Sequence, residues 1–182
     1  MTRMRSWVGP LAALGLALSG TLTGLAGPGT VLAGAGTTAY AGTVAACTVP
    51  AIDVRKGRFE GAAGSRFQTV RAINIGAQAC ATPGWTRYRF YNRDGLIGFR
   101  SRRNPGYDPM AAPVVIGAGE TGRSTLSWTD PGPVPRAQCH PRHASGVRVK
   151  IAGLTGHYFL RMDVRVCTTK KYRPHGTRIS TS

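Results

Sequence analysis

The chain has 182 residues, 24 Lys and Arg against 7 Asp and Glu, and a formal net charge of +17 at pH 7. A length of this order suits one domain and argues against several. Charge of one sign bears on association rather than on fold, and it favours anionic partners over cationic ones.

The N-terminus carries Arg3 and Arg5 ahead of an apolar stretch from Trp7 to Ala26, which Pro10, Gly15, Gly20 and Gly24 interrupt. A membrane-spanning helix needs ~20 mostly apolar residues without such breaks, so the pattern predicts a signal peptide over residues 1–33. Val31-Leu32-Ala33 offers the small-residue cleavage site, and Ala39-Tyr40-Ala41 is a second choice. Removing residues 1–33 takes two arginines and no acid, which leaves 22 basic and 7 acidic residues, net +15 over 149 residues. The expected localisation is secreted, either extracellular or associated with the cell envelope. Residues 34–46 are rich in Gly, Ala and Thr and read as a flexible lead-in. Val44-Ala45-Ala46-Cys47 looks like a lipobox, but it stands some twenty residues beyond the apolar segment, and acylation of Cys47 would leave an odd number of cysteines.

Cys47, Cys80, Cys139 and Cys167 form an even set in an exported chain, so two structural disulfides are expected. Four cysteines allow three connectivities. The sequential pairs Cys47 with Cys80 and Cys139 with Cys167 are favoured, because each would put one cysteine at either edge of a local strand group.

From Cys47 onward, short apolar alternations are separated by turn residues about every ten positions, with no helical period, heptad or repeat. That texture predicts an all-β domain over 47–168, an antiparallel β-sandwich or barrel. Cys47 to Arg55 and Phe67 to Ile75 read as strands. In Trp85 to Tyr91, Tyr88 and Phe90 share one phase and Arg87 and Arg89 the other, so one face is expected in the core and one in water. Asn92-Arg93-Asp94-Gly95 is a turn with Gly95 free to take positive φ. Val114 to Ile116 is a short strand, and Leu126 and Trp128 share a phase before the proline-rich loop from Asp130 to Pro135. Residues 169–182, with Lys170, Lys171, Arg173 and Arg178, read as a basic tail open to disorder.

The clearest element is a hairpin near the C-terminus. With residues 152–157 as its loop, Ile151 pairs with Tyr158, Val149 with Leu160 and Val147 with Met162, and all six share one face. A one-residue slip would turn that apolar set to water. The same register sets Arg148 opposite Arg161, with Lys150 and Arg165 on the same outer face. Like charges directly opposite destabilise a strand pair, so solvent, Asp163 or a bound anion must relieve them. Arg148, Lys150, Arg161 and Arg165 are therefore the candidate anion-binding residues.

Ala62-Ala63-Gly64-Ser65, Asn74-Ile75-Gly76, Cys80 with Gly84-Trp85, Asp94-Gly95, Gly117-Ala118-Gly119 before Leu126-Ser127-Trp128, and the late Cys139 and Cys167 together resemble the actinobacterial secreted family catalogued as domain of unknown function 4232. The resemblance spans Cys47 to Cys167 and implies an exported immunoglobulin-like β-sandwich, often lipid-anchored, with no established activity. Its motifs are turns and cysteines, so they speak to fold more than to function. Thr86 replaces the family's proline, Ala118-Gly119 its Pro-Gly, and the polar segment from Thr168 its apolar final strand.

Sites for chemistry are few. Cys139-His140-Pro141-Arg142-His143 offers three potential zinc ligands in five residues, but metal sites usually draw ligands from wider spacings, and Cys139 is better used in a disulfide. No Gly-x-Ser-x-Gly elbow occurs, and the carboxylates do not cluster as a glycosidase pair. Gly117 to Gly122 matches Gly-x-Gly-x-x-Gly without the strand and helix of a dinucleotide site. Arginines near Trp85, Tyr88 and Tyr91 suggest a stacking platform for nucleic acid, yet Tyr88 falls in the core phase, which makes nucleic acid the weaker partner. The favoured expectation is a binding module without enzymatic activity, metal or cofactor, contacting anionic envelope polymers, an anionic lipid surface or an envelope protein. The alternative is a secreted metal-assisted hydrolase using His140 and His143.

Overall fold

A computed structural model describes residues 43–103, 106 and 108–181. The expected signal peptide, both cleavage sites and most of the lead-in lie outside the described residues. In chain order the strands are β1 (Ile52–Ala62), β2 (Ser65–Asn74), β3 (Cys80–Thr82), β4 (Thr86–Asn92), β5 (Gly95–Leu96), β6 (Arg102–Arg103), β7 (Val114–Ile116) and β8 (Thr121–Thr129). A single helical turn, α1 (Arg136–Cys139), precedes β9 (Pro141–Ile151) and β10 (Tyr158–Cys167). Two short strands, β11 (His175–Gly176) and β12 (Ser180–Thr181), close the chain.

These strands make an all-β sandwich. One sheet runs β1-β2-β8-β11-β6, with β12 also on β8, and the facing sheet runs β10-β9-β4-β5. The long strands therefore follow the order A-B-E against G-F-C of an immunoglobulin-type sandwich. A small third sheet joins β3 to β7. Among the described residues, no helix is long and apolar enough to cross a membrane.

Alternation creates the core. In β4, Thr86, Tyr88 and Phe90 are buried while Arg87, Arg89 and Tyr91 are partly exposed. Leu126 and Trp128 of β8 and Val147, Val149 and Ile151 of β9 enter from the two sheets. Phe90 meets Trp128 edge to face across the sandwich at 5.5 Å. The Tyr88 and Ser124 hydroxyls, both buried, bond across it at 2.6 Å. Burial pushes the Tyr88 phenol up to about 12, against the lowering effect of that bond.

Both expected disulfides are present, Cys47–Cys80 and Cys139–Cys167, and no cysteine is free among the described residues. Cys47 is thus committed to a disulfide, which conflicts with its acylation. Such bonds point to an oxidising, non-cytoplasmic compartment. The first ties the strand ahead of β1 to β3, where Cys47 N–H donates to Ala81 O at 2.8 Å and Ala46 bridges Ala81. The end of the lead-in is thereby paired backbone rather than free linker.

Two expectations are corrected. The β9/β10 hairpin pairs Val149 with Tyr158 and Val147 with Leu160, two residues away from the expected register. Arg148 consequently faces Phe159, and Arg161 faces Gly146. A two-residue shift keeps every side chain on its face, so burial alone does not distinguish the two pairings. The turn does: Leu154 folds inward to 4 % exposure and its N–H bonds Ile151 O, which draws Ile151 into the connection.

The second correction concerns residues 169–182. Far from being a loose tail, they supply β11 and β12, and Ile179 is 3 % exposed in the core. Thr86 Oγ1 donates to Thr177 O at 2.5 Å, and Thr125 N–H donates to Thr177 Oγ1 at 2.7 Å. A Cβ on Gly122 would stand 2.4 Å from Ile179 Cγ2, so the glycine makes room for this insertion. Polar composition misled here because a two-residue strand anchored by one isoleucine leaves little hydrophobic period to see.

Candidate functional site

A basic concavity lies on the outer face of the β10-β9-β4-β5 sheet. Strand β4 pairs antiparallel with β9 so that Arg87 faces Lys150 and Arg89 faces Arg148. Their neighbours Tyr88, Phe90, Val147 and Val149 point into the core, so the pleat turns all four cations outward together. With Arg100, Arg103, Trp85 and His157 they line a cavity of about 290 Å³. Among the described residues, no carboxylate lines it.

All seven acids are engaged elsewhere. Asp53, Glu60 and Asp130 pair with Arg55, Arg58 and Arg66, and Asp163 contacts His143. Asp94 accepts from Asn92, Asp108 from Met110 N–H, and Glu120 from Gly117 N–H. Within the cavity wall, Arg89 Nε is buried and has no hydrogen-bond partner among the described residues. Arg89, Arg148 and Lys150 converge on this cavity and form a surface that a polyvalent oxyanion would neutralise.

Beside the cavity, Tyr91 lies over Gly146, where a Cβ would come within 2.3 Å of the tyrosine ring. Tyr91 also meets Phe159 edge to face at 5.5 Å, and Phe159 meets His157 at 6.1 Å. Phe159 is 60 % exposed, so the basic face ends in an aromatic border open to solvent.

The four candidate anion-binding residues separate. Arg148 and Lys150 line the cavity. Arg161 lies one row along the same sheet and instead borders a shallow depression with Lys56, His143 and Asp163. Arg165 lies past a register irregularity between Arg161 and Val164, opposite His143, and its charge helps hold the Asp130 carboxyl down. Arg87 and Arg89 had been visible only as a solvated face. Their alternation was legible, but the pairing of β4 with β9 is non-local, and nothing in either segment announces it. Arg100, Arg103 and His157 come from loops or a short strand, without periodic signal.

The histidine candidates do not converge. His140 ends α1 in the left-handed region at φ 47, and Cys139 is spent on its disulfide. His143 lies on β9 and contacts Asp163. Among the described residues, no group of three His, Cys, Asp or Glu is placed to hold a metal ion.

No protein-family model, curated protein or solved structure matches this chain.

Proposed function

We propose that this protein is an exported, non-enzymatic binding module that contacts anionic envelope polymers through the β4/β9 face, and that it belongs to the secreted actinobacterial family it resembles. The observation that carries the reading is the facing pair Arg89 and Arg148, set in a cavity wall that has no carboxylate among the described residues. A sandwich that presents a charged face and loops is a scaffold for recognition. Two disulfides and an export-type N-terminus agree with work outside the cytoplasm.

The test is retention of the oxidised, folded chain on an immobilised acidic polysaccharide, on anionic vesicles and on neutral vesicles. Retention on the polysaccharide that weakens as salt rises supports the proposal, because exposed charges are screened over ~8 Å at physiological ionic strength. Stronger retention on anionic vesicles would redirect it to a lipid surface, and salt-independent or absent retention on both would overturn it.

A further inference from the structure

The cavity is more selective in shape and lining than charge attraction requires. Its volume of about 290 Å³ sits at the lower end of small-ligand sites, which suits one ring-sized unit and not a length of polymer backbone. Two kinds of residue line it. Arg89, Arg148 and Lys150 bring cations from adjacent strands, and Trp85 and His157 bring aromatic rings. Trp85 is held in place by its backbone: its carbonyl accepts from Ala152 N–H at 2.8 Å, and it bridges Arg178.

Resting on the anion-binding reading above, we infer that this cavity recognises a phosphorylated sugar or polyol unit, with the phosphoryl oxygens at Arg89, Arg148 and Lys150 and the carbon skeleton against Trp85 and His157. A carboxylate offers two oxygens and one charge, enough for a single guanidinium fork. A phosphate monoester offers three terminal acceptors and up to two charges, and so satisfies several convergent cations at once. The aromatic rings give the uncharged part of the ligand a surface that inorganic phosphate cannot use.

Isothermal titration at constant ionic strength tests this on the full oxidised chain, with glucose 1-phosphate, inorganic phosphate, glucuronate and AMP as titrants. Glucose 1-phosphate should bind saturably and at least tenfold more tightly than inorganic phosphate or glucuronate. Arg148→Gln should weaken it at least fivefold, and so should Lys150→Gln, whose exposed side chain leaves the core untouched. Trp85→Ala should bring the sugar phosphate and inorganic phosphate closer together in affinity. Competition by monoesters and not by poly(glycerol phosphate) is expected, because an internal phosphodiester offers two oxygens and one charge as a carboxylate does; equal competition by that polymer would overturn the inference. Equal affinity for inorganic phosphate, tighter binding of AMP, or binding indifferent to Lys150→Gln would overturn the inference. Salt-sensitive polysaccharide retention without saturable sugar-phosphate binding would overturn it and leave the broader reading standing, whereas loss of both would remove both.

Discussion

Arg89 of β4 lies directly opposite Arg148 of β9, two cations at one position of an antiparallel ladder. Facing like charges destabilise a strand pair by a few tenths of a kcal/mol to about 1 kcal/mol. Arg89→Gln should therefore raise the stability of the ligand-free protein by about 0.5 kcal/mol at low salt, and the gain should shrink as salt is added. Urea unfolding at two ionic strengths measures it. A clear loss of stability at low salt would mean that Arg89 has a structural partner instead.

The two sheets are linked by the Tyr88 and Ser124 hydroxyls. Tyr88→Phe would leave the Ser124 hydroxyl buried without that partner, at a cost of about 1–3 kcal/mol. The double variant with Ser124→Ala should recover part of the loss, because both polar atoms are then gone. Chemical denaturation of the two variants decides whether the pair acts as a unit.

Ile179 is buried against Gly122, near the C-terminal end of the chain. Ile179→Ala should cost about 2–5 kcal/mol, the range for truncating a core aliphatic side chain. Removal of residues 169–182 should be worse, since it also strips β11 and β12 from β8. A thermal midpoint unchanged by Ile179→Ala would contradict the placement of this segment in the sandwich.

Acid should weaken the fold in two steps. Partial burial, helped by the positive charges of Arg102 and Arg173, lowers the His175 pKa below its ordinary value. The folded state therefore prefers the neutral ring. As pH falls the unfolded chain takes the proton first, so stability drops below about pH 6.5. Asp130 has the opposite polarity: the Gly132 N–H, then Arg66, hold its carboxyl below the usual range despite some desolvation. Its contribution is present above about pH 4 and is lost as pH falls further. Unfolding midpoints against pH should flatten on the acid side of about 6.5 in His175→Gln, and on the acid side of about 4 in Asp130→Asn.

What was legible in the sequence was what local periodicity encodes. The alternation of Tyr88 and Phe90 against Arg87 and Arg89 located both faces of β4, and Val114–Ile116 appears as a strand with the bounds expected. Gly95 takes the positive φ its turn requires, at 118°. The cysteine pairing followed from locality. Register was not legible, because a period of two cannot distinguish shifts of two residues, and the burial of Leu154 that settles it is a tertiary event. The site was half legible for the same reason. Arg148 and Lys150 were singled out through a hairpin register that the structure corrects, whereas Arg89 and Arg100 join them in the cavity lining only through a strand pairing and a loop placement that no local pattern records.

The central claim is that the β4/β9 face carries the binding, and its most direct measurement is the salt dependence of affinity for an acidic polysaccharide in wild type and in Arg89→Gln/Arg148→Gln. The account predicts that wild-type affinity falls steeply with salt. The double variant should keep its fold and disulfides, bind at least tenfold more weakly at low salt and show a shallower slope. A folded double variant with wild-type affinity and slope would contradict the account and move the binding to another of the chain's basic surfaces.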